Sequence, residues 1–221
     1  GIQMVTTSSR NKNAGVTGIL AGLSLLFASS YAASNPIVYN FEGTSAGGVG
    51  KGTMSVTTAV SQMTVVVDNT SPLLTTDGLS DNTPGITNFG VNINPNLTIS
   101  DWVLKAYDNF GTEIVIGDFA GTVTSDPWVM ETTANGVSLD YLPSTTNSNI
   151  KGALYNPLAT AGFGATPNFF TTATLVLEFS ENATPVLANE PCFSSGTECA
   201  TFMRMKNVGT GGAGSLKLIG G

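Results

Sequence analysis

Short apolar runs alternate with polar residues along most of the chain, and Gly, Pro, Asn and Asp separate these runs at short intervals. Alternation with a period of two is typical of half-buried strands, and no window sustains the 3.6-residue period of an amphipathic helix. We therefore predict strands at 37–41, 53–59, 63–67, 86–93, 102–107, 113–119, 128–134, 137–142, 150–155, 171–179, 201–208 and 215–219. About a dozen short strands predict an all-β fold, a single antiparallel β-sandwich of jelly-roll type.

The first 34 residues follow a different pattern. Arg10 and Lys12 precede an apolar run at 14–28, and the small residues after it offer Ser30-Tyr31-Ala32 as a cleavage site. This order is typical of a secretory signal peptide. A membrane-spanning helix is the alternative, but it needs about 20 predominantly apolar residues. We therefore predict a signal-peptide helix at 1–32, removed by signal peptidase, and one β-sandwich domain at 33–221 with a Gly-rich C-terminal segment.

A β-hairpin is predicted within residues 128–142. The pair Asn135-Gly136 is favoured in type I′ turns, because both central residues need positive φ. This turn would pair Ala134 with Val137 and place Glu131 directly opposite Asp140. One face of the hairpin is then apolar, and we predict that it is buried: Trp128, Met130, Val137, Leu139 and Tyr141. Trp128 and Trp102, on an earlier strand, are interpreted as core anchors.

Composition excludes several classes of function. The chain contains no histidine, which excludes Ser-His-Asp and Cys-His hydrolases and zinc sites built on imidazole. Hydrophobic residues make up 41% and charged residues 10%, a balance typical of a folded extracellular β-protein rather than a disordered segment. The net charge is −7 and becomes about −9 once Arg10 and Lys12 are removed, so we expect no nucleic-acid partner.

Cys192 and Cys199 are the two cysteines of the chain. A close pair in a secreted protein predicts a structural disulfide, and closing so short a loop stabilises a fold by about 2.5 kcal/mol in the chain-entropy model.

Two sets of carboxylates are candidates for binding Ca²⁺. The first is Glu131 and Asp140, since like charges that face each other across two strands are destabilising unless a cation neutralises them. The second is Asp77 and Asp81, in a loop rich in Gly, Pro and Asn. Solvated side chains and ordinary turn residues are the simpler interpretations. A retaining glycosidase, which needs two carboxylates about 5 Å apart, is a further alternative for the first pair.

Four aromatic residues lie within or next to the Pro- and Gly-rich segment 156–168, and such rings can stack on the apolar face of a sugar. They are Tyr155, Phe163, Phe169 and Phe170. The alternative is that they fill the open end of the sandwich.

Four segments carry a resemblance to a known class: 82–90 (NTPGITNFG), 136–144 (GVSLDYLPS), 151–159 (KGALYNPLA) and 199–218 (CATFMRMKNVGTGGAGSLKL). They resemble secreted proteins of the PEP-CTERM (exosortase-sorted) class of biofilm-forming Gram-negative bacteria. In that class such a last strand and Gly-rich segment commonly lead into a sorting tail, which this sequence does not include, and we expect one in the full gene. The resemblance implies export, transient anchoring, release to the surface and association with exopolysaccharide.

The leading hypothesis is a non-enzymatic secreted or cell-surface protein of a Gram-negative bacterium, associated with extracellular polysaccharide or biofilm matrix. One alternative is a carbohydrate-binding module, which needs an exposed aromatic platform. Another is a self-assembling fibre or pilus-type subunit. An enzyme that cleaves polysaccharide would need Glu131 and Asp140 together in a cleft.

Overall fold

The computed structural model of the protein describes residues 32–72, 83–93, 96–108, 110–125, 127–141, 152–158, 170–193 and 196–221. Within these ranges the chain forms thirteen strands and a short 3-10 turn at Thr210–Gly212. The strands are β1 Ile37–Ser45, β2 Gly48–Ala59, β3 Gln62–Asn69, β4 Gly85–Asn92, β5 Ile99–Asp108, β6 Glu113–Asp118, β7 Trp128–Thr132, β8 Gly136–Tyr141, β9 Phe170–Phe179, β10 Glu190–Cys192, β11 Thr197–Cys199, β12 Thr201–Val208 and β13 Gly214–Ile219. Apart from Ala32, the predicted signal peptide lies outside the described residues.

Eleven of these strands form two antiparallel sheets. The six-stranded sheet has the order β1-β2-β3-β9-β5-β6, and the five-stranded sheet has the order β13-β12-β4-β8-β7. Strands β10 and β11 form a separate two-stranded ribbon. The predicted all-β class with antiparallel sheets is confirmed, and the arrangement is consistent with a β-sandwich.

The core lies between the apolar faces of the two sheets. In β2, β3 and β9 every second residue is buried over most of the strand, as period-two alternation requires. Val65 and Leu175 from the six-stranded sheet share one core with Phe89 and Leu139 from the five-stranded sheet. The predicted apolar face of the β7–β8 hairpin is part of this core, and Trp102 and Trp128 are both buried in it.

One edge of the sandwich is closed by β1 and the residues that follow β13. The Asn40 N–H donates to the Gly221 carbonyl oxygen at 3.0 Å, and the Gly221 N–H donates to the Asn40 carbonyl oxygen at 3.2 Å. Close approach of the sheets here depends on glycine. A Cβ at Gly43 would lie 2.7 Å from the Leu218 Cδ2 atom, and one at Gly50 would lie 2.7 Å from the Met205 Sδ atom.

At the opposite edge the outermost strands are β6 and β7. They touch at Gly117, where a Cβ would lie 2.5 Å from the carbonyl oxygen of Trp128. The register of β7 with β8 turns the backbone groups of Met130 and Thr132 away from β8, toward this edge. We call this side of the sandwich the open edge.

The predicted turn of the β7–β8 hairpin is wrong by one position. The Thr133 N–H donates to the Gly136 carbonyl oxygen at 2.8 Å, so the turn falls on Ala134 and Asn135, and neither residue has positive φ. Gly136 instead lies within β8, opposite Asn92 of β4. A Cβ there would lie 2.1 Å from the carbonyl oxygen of Val91, so the glycine is needed for close strand contact rather than for the turn.

Two other segments differ from the predictions. Residues 152–155, expected in a strand, make isolated bridges through Leu154 to Ile86 and Phe170 rather than a ladder. The β10–β11 ribbon was not predicted, because three-residue strands carry too little alternation to be recognised.

Candidate functional site

A cleft of about 780 Å³ lies at the open edge, between the ends of the two sheets. We call it the edge cleft. Its walls come from both sheets: Trp102 of β5 and Gly117 of β6 on one side, and Trp128 and Met130 of β7 on the other. The volume is within the range of small-molecule and cofactor sites, roughly 300–1,000 Å³.

Three aromatic residues line the edge cleft, and the two tryptophans differ in the hydrogen bonding of their indole N–H groups. Trp128 donates its indole N–H to the carbonyl oxygen of Gly152 at 2.9 Å and is fixed in the core. Trp102 also lines the cleft, and its indole N–H has no hydrogen-bond partner among the described residues. Phe119 lies at the rim, and 56% of its surface is exposed.

The polar lining of the edge cleft consists of hydroxyl groups and one carboxylate. Thr132 and Thr133 line the cleft at the end of β7, and Asp118 lines it at the end of β6. Asp118 accepts hydrogen bonds from the Thr122 hydroxyl and, at 2.7 Å, from the Thr122 N–H. These two bonds lower the pKa of Asp118 and fix the orientation of its carboxylate. The cleft therefore combines apolar rings with donors and acceptors.

The predicted carboxylate pair does not form. Glu131 lies opposite Ser138, and Asp140 lies opposite Val129, because the turn is displaced. Asp140 instead accepts hydrogen bonds from the Asn88 amide at 2.6 Å and from the Ser138 hydroxyl at 3.3 Å. Ca²⁺ binding at this pair and the glycosidase alternative were both predicted from carboxylates that face each other. The structure does not place Glu131 and Asp140 in that arrangement.

The second carboxylate pair, Asp77 and Asp81, lies outside the described residues. Within the ranges given above, no group of three or more Cys, Asp or Glu residues is arranged to hold a metal ion.

The predicted sugar-contacting rings are not brought together as a platform. Tyr155 is completely buried (0% exposed), so its assignment as a sugar contact is wrong for this structure. Phe170 is partly buried against the core, and Phe163 and Phe169 lie outside the described residues. Burial of Tyr155 agrees with the alternative that these rings fill the sandwich.

The predicted disulfide between Cys192 and Cys199 is present and joins β10 to β11. Asn92, at the end of β4, holds this ribbon against the five-stranded sheet. Its side-chain amide donates to the carbonyl oxygens of Cys199 at 2.8 Å and of Glu190 at 3.2 Å.

Sequence reasoning missed the edge cleft. Phe119 and Asp118 are unremarkable in the sequence, since a strand that ends in Gly-Asp-Phe is an ordinary pattern. Their position becomes informative once β6 and β7 are known to be the outermost strands, and strand order is not encoded in local periodicity.

No family model, no curated protein and no solved structure matches the chain in comparisons with known proteins. Over the described ranges, a helix with the length and apolar character needed to cross a membrane is not found. The chemistry of the site is therefore the basis for inferring function.

Proposed function

We propose that the chain is a non-enzymatic, exported surface protein that binds extracellular polysaccharide, and that the edge cleft is a site of contact. The observation that carries this proposal is the cleft's combination of an exposed ring, an indole donor with no partner among the described residues, hydroxyls and an oriented carboxylate. A sugar ring has an apolar face and a polar rim, so it needs both kinds of contact. In this proposal Phe119 stacks on a sugar ring, and Trp102 and Asp118 bind its hydroxyls.

The proposal includes export by a cleaved signal peptide at 1–32 and residence on the outer surface of a Gram-negative bacterium or outside it. It also includes membership of the PEP-CTERM class, on the resemblance of residues 82–218. The jelly-roll variant of the sandwich is supported by strand order. Successive strands β3, β4 and β5 alternate between sheets, and β9 returns beside β3 while β8 returns beside β4.

The test is a pull-down of the protein with extracellular polysaccharide from a biofilm-forming Gram-negative bacterium. Phe119→Ala is expected to weaken binding about tenfold, because it removes a stacking ring worth about 1.4 kcal/mol. The matched control is Phe110→Ala, which removes a ring that is 75% exposed in the β5–β6 turn. Equal binding by both variants and the unaltered protein would exclude the edge cleft as the contact.

An EDTA arm of the same pull-down tests whether Ca²⁺, the cofactor that the sequence predicts, takes part in binding. Loss of binding in EDTA assigns a role to calcium, and Glu131, Asp140, Asp77 and Asp81 are then the residues to substitute first. Unchanged binding in EDTA would show that binding does not need Ca²⁺.

A second candidate function is that of a self-assembling subunit. The supporting observation is that Ile114 and Val115 on β6, the outermost strand at the open edge, are 39% and 38% exposed. An exposed apolar edge strand favours pairing with another chain. Val115→Lys is expected to lower the sedimentation coefficient if copies pair there, and an unchanged monomer at high concentration would exclude this candidate.

A further inference from the structure

Three basic residues lie together on the outer face of the five-stranded sheet, and we call them the basic patch: Arg204, Lys206 and Lys217. Met203 and Met205 of β12 point into the core. Side chains alternate along a strand, so Arg204 and Lys206 point to the outer face. Lys217 lies directly opposite Arg204 across the β12–β13 pair. The chain has 8 basic residues in all, so this is a marked concentration in an acidic protein.

Repulsion within the basic patch is expected to lower the stability of the folded protein. Like charges placed directly opposite each other in an antiparallel pair are destabilising. Partial burial and the charge of Arg204 together lower the pKa of Lys206, which is a further sign of crowded positive charge. Elsewhere Lys51 and Lys105 are paired with carboxylates, at 3.1 Å and 3.2 Å. In the described ranges, Arg204 and Lys217 form no such ion pair.

Arg204 also has an unsatisfied hydrogen-bond donor. Its Nε atom is buried and has no hydrogen-bond partner in the part of the chain that the structure describes. The nearest carboxylate along the same row of the sheet is that of Asp140. The row runs from Arg204 to Asn88 and then to Asp140, and the Asp140 carboxylate is held by Asn88 and Ser138. Among the described residues, the guanidinium group of Arg204 therefore has no carboxylate as an ion-pair partner.

An aromatic ring lies beside the basic patch. Phe193 packs edge-on against Phe202, with ring centroids 5.2 Å apart, and the Lys217 Nζ atom lies 5.5 Å from the Phe193 centroid. Phe193 has a φ of 55°, in the left-handed region that bulky residues rarely adopt. The backbone of the disulfide ribbon therefore holds this ring in place at some conformational cost.

We infer that Arg204, Lys217 and Phe193 form a site for a carboxylate-bearing sugar, as found in polymers of uronic acids. Arg204 and Lys217 bind the carboxylate, and the ring of Phe193 contacts the apolar face of the sugar. The net negative charge of the protein does not prevent this, because charges beyond about 8 Å are largely screened at physiological ionic strength. The inference rests on the proposed polysaccharide function and specifies the chemical class of the polymer.

The test compares two polymers with the same backbone, polygalacturonate and its fully methyl-esterified form, in biolayer interferometry at about 0.15 M salt. We expect the unaltered protein to bind polygalacturonate at least tenfold more tightly than the neutral ester. Arg204→Gln and Lys217→Gln are expected to weaken the binding of polygalacturonate at least tenfold. Lys105→Gln is the matched control, since it removes a positive charge on the other sheet, and it is expected to bind as the unaltered protein does.

Several results would overturn the inference. They are equal binding of the ester, unchanged binding by both patch variants, a similar loss in Lys105→Gln, or equally tight binding of dextran sulfate. If Arg204→Gln fails to fold, Lys217→Gln decides the question, because Lys217 is on the outer face of the outermost strand β13. Binding of a neutral polysaccharide that depends on Phe119 would keep the proposed function even if the inference is wrong. Failure of every polymer to bind would reject both.

Discussion

Trp128 shows how one residue links the core to the edge cleft. Its ring packs near Phe89 and Tyr141, with centroids 5.7 Å and 5.9 Å away, while the same residue lines the cleft. The hydrogen bond from its indole N–H to Gly152 uses a donor that would otherwise be buried and unsatisfied. A ring of this size therefore stabilises the fold and forms part of the wall of the edge cleft at the same time.

Trp128→Phe is expected to lower the free energy of unfolding by about 2–4 kcal/mol, because it leaves a cavity and removes the donor to the Gly152 carbonyl. Urea unfolding followed by circular dichroism measures this. Phe110→Ala, at an exposed position, is the control and is expected to stay within about 0.5 kcal/mol of the unaltered protein. Equal midpoints for Trp128→Phe and the unaltered protein would contradict the burial of this indole.

At the scale of elements, the disulfide ribbon is attached to the sheet by few residues. Asn92 binds it through its side-chain amide, and Phe202 of β12 packs against both cysteines. A Cβ at Gly90 would lie 2.2 Å from the Phe202 Cζ atom, so the glycine makes room for this ring on the outer face of the sheet. The ribbon also carries Phe193, and its stability therefore affects the basic patch.

Replacing both Cys192 and Cys199 by Ser is expected to lower the free energy of unfolding by about 2.5 kcal/mol, since the unfolded chain loses its closed loop. The measurement is urea unfolding of the double variant beside the unaltered protein with and without reductant. Reductant should shift the unaltered protein to the midpoint of the variant and leave the variant where it was. A reductant effect on the variant would show that something other than the disulfide is responsible.

Elements with many alternating residues could be predicted from the sequence, and their pairing could not. The buried faces of β5 and of the β7–β8 hairpin follow from alternation, because one face must be apolar wherever a sheet covers a core. The predicted hairpin register assumed that Gly136 belongs to the turn. In the structure Gly136 lies in β8, where the close contact with Val91 of β4 needs a glycine, and this contact outweighs the turn preference of Asn-Gly. The contact with Val91 cannot be predicted from local sequence. The strand order that places β6 and β7 on either side of the edge cleft cannot be predicted from it either.

At the scale of the whole molecule, the free energy of unfolding should depend on alkaline pH through one buried hydroxyl. Burial, and to a smaller extent Tyr141, raise the pKa of Tyr155 well above its ordinary value of 10.0. Above pH 10 the unfolded chain releases this proton while the folded chain keeps it. Rising pH therefore favours the unfolded state.

We expect the Tyr155 contribution to reduce the free energy of unfolding by about 1.4 kcal/mol for each pH unit above 10. Urea unfolding at several pH values between 9 and 12 measures the slope. Tyr155→Phe removes the titrating group and should give a shallower slope. Parallel slopes for the two proteins would contradict the burial of this side chain.

The backbone hydrogen bonds between Asn40 and Gly221 fix the position of Gly221 relative to the edge cleft. Because these residues lie at the closed edge, Gly221 and the edge cleft are on opposite sides of the sandwich. A protein coupled to a support through a tag after Gly221 would therefore present its cleft outward, into the solution. Coupling through a cysteine introduced at Val115 on β6 would turn the cleft toward the support, and the two immobilised forms should differ in their capacity for polymer.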